Sequence, residues 1–94
     1  MITPQEAIEQ KCDEIKQLLL EKNRKYGNSA LSPLRIFSSS TPYEQLLVRI
    51  DDKLNRIKNR QSDEDEDVVK DLAGYLILLM IARDDEEGNE RMQR

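Results

Sequence analysis

Apolar residues recur at three- and four-residue steps in separate stretches of the chain, the period of an amphipathic helix and not of a strand. In the first stretch Ile8, Cys12, Ile15, Leu19 and Tyr26 fall on one stripe. Lys22 stands where that series requires another apolar residue. Thr3 is placed to cap this helix, Pro4 suits its first turn and Glu6 completes a capping box, while Gly27 predicts a left-handed cap at the far end. The second stripe is Tyr43, Leu47, Ile50, Leu54 and Ile57. It opens on the same logic in Thr41-Pro42-Tyr43-Glu44 and ends near Asn59. Helical spacing puts Arg49, Asp52, Lys53 and Arg56 on a polar face opposite this stripe, with Arg49 to Asp52 and Asp52 to Arg56 at ion-pairing steps. Ser62 and the acidic residues 63–67 predict the start of a third helix, because anions are favoured at the positive end of the helix dipole.

The third stretch has no polar face. From Val68 to Ala82 the polar side chains are Lys70, Asp71 and the Tyr75 hydroxyl, and two amphipathic neighbours cannot cover a helix that is apolar nearly all round. At about 15 residues it is short for a membrane span, which needs about 20, and its acidic flank opposes one. The pattern therefore predicts a central helix buried between subunits and no membrane partner. Between the first two helices, residues 28–40 hold Pro33 and several serines. Leu31, Leu34, Ile36 and Phe37 give that segment apolar anchors, so an ordered loop is expected. The charged segment from Arg83 onward contains Gly88 and shows no apolar period, which predicts a frayed tail. The expected architecture is all-α: a compact three-helix unit in residues 1–83, a tail in residues 84–94, and assembly as a homo-oligomer.

Composition narrows the chemistry. A chain of 94 residues can only marginally support a core of its own, and 36% charged with 4% aromatic residues suits small helical proteins better than a sheet sandwich. The net charge of -4 argues against a surface that tracks DNA or RNA polymers, although it leaves room for a local basic patch. Cys12 is the only cysteine and histidine is missing, which excludes disulfide frameworks, zinc sites and histidine-based catalysis; any metal would be held by oxygen. The opening MITPQEAIEQ has no basic region followed by an apolar run, so a cytoplasmic location is expected.

Two groups of residues could do chemistry. Lys22, Arg24, Lys25 and Arg35 bracket the first loop, where Ser29, Ser32 and serines 38–40 add short donors, and together they make a candidate phosphate cradle. Tyr26 belongs either to the core or to a base-stacking surface. Asp67 and Asp71, with Glu64 a turn earlier, can line one edge of helix three and hold Mg²⁺ through one or two carboxylates. The competing reading makes Glu64 a solvated, dipole-favoured residue and Asp71 one half of a buried ion pair with Lys53, Arg49 or Arg56.

The segments KNRKYG, VRIDDKLNRI and EDVVKDLAGY resemble, in order, three signature segments of the nucleotide modification associated domain 1 family, small α-helical proteins frequent in phages. That family's pattern runs approximately KNxxYG, RxxDKxxR and DxxxDLxxY. The resemblance implies a nucleotide-related function and points to Lys22, Asn23, Tyr26, Gly27, Arg49, Asp52, Lys53, Arg56, Asp67, Asp71 and Tyr75. A more distant likeness is to the all-α nucleotide pyrophosphohydrolases, whose ExxE and ExxD segments together hold Mg²⁺. Here the chain departs from the pattern: Glu6 and Glu9 lie off the first core stripe, and the later carboxylates are spaced by four, so only one convergent row is evident.

The expected function is binding, without turnover, of a phosphorylated nucleotide or nucleotide-derived signalling molecule by Lys22, Asn23, Lys25, Tyr26, Arg35, Arg49, Asp52, Lys53 and Arg56. By analogy, such a phage protein can act as a sponge that sequesters host immune signalling nucleotides. One alternative is a Mg-dependent nucleotide pyrophosphohydrolase or nucleotide-modifying enzyme that uses Asp67 and Asp71. The other is a structural or protein-interaction module.

Overall fold

The computed structural model describes residues 1–28, 30–32, 38–60 and 66–92, with side chains described as far as residue 88. Its elements are α1 (Pro4–Tyr26), α2 (Pro42–Lys58) and α3 (Val68–Met92), an all-helical arrangement among the described residues. The expected N-caps form: the Thr3 hydroxyl accepts from the Glu6 N–H at 3.1 Å and the Thr41 hydroxyl from the Glu44 N–H at 3.1 Å. Gly27 ends α1 at φ 67, ψ -151. Its φ is positive as expected, but its ψ lies outside the left-handed helical well, in a region that essentially only glycine visits. Arg60, with φ 53, supplies the positive-φ turn after α2.

The start of α3 differs from expectation. Glu66 and Asp67 precede the helix, and Asp67 is its cap: the carboxylate accepts from the Lys70 N–H at 3.0 Å and the carbonyl from the Asp71 N–H at 3.0 Å. Ser62 and residues 63–65, like Ser29 and residues 33–37 of the first loop, lie outside the described residues. At the other end α3 continues to Met92, through the segment expected to fray. Residues 82–87 are mostly good helix formers, and a helix already nucleated extends through them without needing an apolar face.

α2 and α3 pack antiparallel. Moving back along α2 from Arg56 to Lys53 to Arg49 meets partners progressively further along α3, from Glu66 at its threshold to Asp71 and the residues beyond. The buried apolar residues are Leu46, Ile50, Val68 and Ala82, with Leu46 only 1% exposed. This shifts the predicted stripe of α2, since Leu47, Leu54 and Ile57 remain exposed and the inward line runs 46, 50, 53. The reason is that α2 is covered by one helix only, and a single neighbour buries a line narrower than the stripe the sequence offers.

α1 packs on α3 alone and has no buried residue. The crossing is at Gly74, where an added Cβ would lie 3.2 Å from Leu19 Cδ2, so a small residue permits the approach. Ile15 and Leu19 are half-covered, whereas Ile8, Cys12 and Tyr26 of the same predicted stripe are exposed. α3 leaves Val69, Leu76, Ile77, Met80 and Ile81 open. The chain exposes 7884 Å², against about 5,600 Å² expected for a compact monomer of 11.0 kDa. Its radius of gyration is 15.5 Å, where about 12 Å is expected for this length. Among the described residues, no helix is long and apolar enough to cross a membrane.

Candidate functional site

The crossing of α1 over the α2–α3 pair leaves a cleft of about 290 Å³. One wall comes from the last turns of α1, which contribute Lys22, Asn23 and Tyr26, followed by Gly27. Arg49 enters from α2, and Asp71, Gly74 and Tyr75 line it from α3. Leu18, Leu19, Leu31 and Leu78 supply an apolar lining. Beside the cleft the Asn28 carbonyl accepts from the Leu31 N–H at 3.0 Å and the Ser32 N–H at 2.6 Å, a local turn that folds Leu31 back toward α1.

A line of alternating charge runs from the cleft through the helix pair. Lys22 Nζ lies 3.8 Å from Asp71 Oδ1, and Lys53 Nζ lies 3.9 Å from Asp71 Oδ2. Lys53 also donates to Glu66 Oε1 at 2.5 Å, Arg56 donates to Glu66 Oε2 at 2.5 Å, and Arg56 Nε reaches Asp52 at 3.3 Å. Lys53 thus faces α3, with its side chain 13% exposed, and not the outer polar face. The spacing rule placed it outside because it counts a lysine as polar. Two carboxylates from the neighbouring element make its inward position tolerable. Asp52 and Arg56 do lie together, but the expected Arg49–Asp52 pair does not form, and Arg49 pairs with no carboxylate among the described residues.

Glu66 was missed as an individual site because it sits inside an acidic run, where nothing local distinguishes it from its neighbours. The Lys53 hydrogen bond, and after it the charges of Lys53 and Arg56, hold the Glu66 carboxyl below its ordinary value of 4.5 against an opposing effect of burial. A depressed carboxyl stabilises the fold fully above its unfolded value and loses that contribution as pH falls through the folded one. Thermal melts at decreasing pH should therefore show a drop below about pH 4.5. Glu66→Gln should lower the melting temperature near neutral pH and flatten that acid limb; an unchanged limb would show that other carboxylates control it. Glu14, held low mainly by Lys11, links α1 to α3 through Lys70 at 3.5 Å, and its titration lies in the same window.

The remaining candidates separate. Lys25 lies over the Tyr26 ring, 5.3 Å from its centroid, and is not part of the cleft lining. Arg24 pairs with Glu21 on the solvent side. Arg35 and Glu64 are outside the described residues. Asp67 and Asp71, expected to share Mg²⁺, are engaged separately, the first as a helix cap and the second between two lysines. Among the described residues no three carboxylate, cysteine or histidine side chains gather at one point. Tyr26 proves to be a cleft residue and not a core residue, 61% exposed. No protein-family model, curated protein or solved structure matches this chain.

Proposed function

We propose that the cleft binds a phosphorylated nucleotide or nucleotide-derived signalling molecule and holds it without turnover. The observation that carries this reading is the convergence, on one cavity, of Lys22, Asn23, Tyr26, Gly27, Arg49, Asp71 and Tyr75 from distant parts of the sequence. These are residues that the resemblance to the nucleotide modification associated domain 1 family singles out, and they come from all three of its segments. Arg49 is a guanidinium with no carboxylate partner among the described residues, suited to a phosphate. The exposed Tyr26 ring offers a stacking face, and the leucines line an apolar slot for a base. A cavity of about 290 Å³ stands at the lower end of small-molecule sites, enough for one nucleotide unit.

The protein is further proposed to act as a homo-oligomer in which second copies cover the open faces of α1 and α3. The excess of about 2,300 Å² over a compact monomer is in the range that obligate subunit interfaces bury. Ile8 and Cys12 continue the stripe of α1 past its support on α3, and both are exposed among the described residues.

Incubation with nucleoside triphosphates, cyclic di- and trinucleotides and ADP-ribose derivatives, with and without Mg²⁺, tests the binding reading. One compound class should disappear from the filtrate in stoichiometric amount and return intact from the denatured protein. Depletion beyond the molar amount of protein would make it a nucleotide hydrolase or transferase. No depletion of any compound would leave an interaction module.

A further inference from the structure

Among the described residues, Asp71 is the one carboxylate in the lining of a cleft whose other polar side chains are amides, phenols and cations. Its own side chain is 20% exposed, so it is neither a free surface acid nor sealed in the core. Lys22 and Lys53 approach its two oxygens at 3.8 Å and 3.9 Å, close enough to compensate its charge but too far for hydrogen bonds. Among the described residues, no donor reaches hydrogen-bonding distance of this carboxylate. A carboxylate has about four acceptor positions, and those of Asp71 that reach solvent are taken by no protein donor among the described residues, which leaves them open to donors on a ligand.

We propose that Asp71 selects the ligand, accepting hydrogen bonds from two adjacent donors on the part of the nucleotide that carries no phosphate. This rests on the reading of the cleft as a nucleotide site. Lys22 and Lys53 already face the Asp71 carboxylate, whereas the Arg49 guanidinium meets no carboxylate among the described residues and is the cation open to a phosphate, which sets the direction in which the ligand lies. Two parts of a nucleotide present such adjacent donors, the 2′,3′-diol of a ribose and the N1–H and N2–H edge of guanine. A site that hydrogen-bonds a donor discriminates strongly against an analogue lacking it, because its own acceptor is then left dry and unpaired.

Calorimetric titration of the full chain with GTP, dGTP, ITP and ATP separates the possibilities. A diol contact weakens dGTP alone, and a guanine contact weakens ITP and ATP, in either case by about ten- to a hundredfold. Asp71→Asn, which keeps the shape but offers one acceptor and one donor, should weaken GTP by a similar factor and erase the preference. Asp71→Glu keeps the charge that Lys22 and Lys53 face but displaces the acceptors, so it should stay folded by circular dichroism and show the same loss of preference even where the asparagine variant does not fold. Equal binding of all four nucleotides, or a preference that persists in both variants, overturns the role of Asp71 and leaves nucleotide binding in place. Failure of all four to bind overturns this inference, and the nucleotide reading of the cleft falls with it only where the cyclic nucleotides and ADP-ribose derivatives are not captured either.

Discussion

At micromolar concentration the protein is expected to scatter light as a dimer or larger species, and its Leu76→Asp variant as a monomer. Leu76 is 46% exposed in the single chain, so an aspartate there stays hydrated in an isolated copy and does not break the α2–α3 contact. In an assembly that covers α3 the same aspartate is buried without a partner, which costs about 3–5 kcal/mol at every copy of the interface. The variant thus distinguishes a subunit surface from an internal core, since a core defect would unfold the chain at any concentration. A single helix pair crossed by α1 is also a small core, so the melting temperature of the parent protein should rise with concentration and that of the variant should not. Cys12 gives an independent readout. Its thiol, exposed on the uncovered stripe of α1, should react slowly with a thiol reagent in the assembly and rapidly in Leu76→Asp. A parent protein that remains a well-folded monomer at all concentrations would overturn the assembly.

The local rules carried far because they depend on nearest neighbours. Thr3, Pro4 and Glu6 cap α1, and Thr41, Pro42 and Glu44 cap α2, through contacts made within one turn, which a sequence displays directly. The same is true of the positive φ at Gly27. Burial was less legible, because it depends on what each helix meets. The apolar stripe of α2 is real, but the line that α3 covers passes through Leu46 and Lys53, and only the packing angle decides that. Asp71 and Lys53 were recognisable as a possible pair from the cost of a lone carboxylate in an apolar helix. Lys22, the other partner of Asp71, lies 49 residues earlier in the sequence, and no periodicity links the two. Glu66 was hidden for the opposite reason, since every residue around it carries a similar charge. The cleft itself was foreshadowed by the cations near Gly27 and by Arg49, whereas its apolar lining from Leu18, Leu31 and Leu78 had no signal apart from ordinary core patterning.

Arg49→Ala is expected to cost ligand capture heavily and stability hardly at all. Its guanidinium meets no carboxylate among the described residues, and its removal leaves no buried charge behind, so the melting temperature should stay close to that of the parent. If the guanidinium holds a phosphate, two charge-assisted hydrogen bonds are lost, and affinity for the captured compound should fall about tenfold to a hundredfold. Lys53→Ala provides the contrast. It leaves Asp71 and Glu66 half-buried without the ammonium between them, so stability should drop first and capture should follow from the damaged α2–α3 contact. Lys22→Ala stands between these extremes: its side chain is half-exposed and touches Asp71 from the cleft side, which predicts a moderate loss of capture with little loss of fold. An electrostatic site also predicts that raising salt weakens capture in the parent more steeply than in Arg49→Ala, because the variant has one cation fewer to screen. Binding unchanged in both Arg49→Ala and Lys22→Ala, at low and at high salt, would place the captured phosphate outside this cleft.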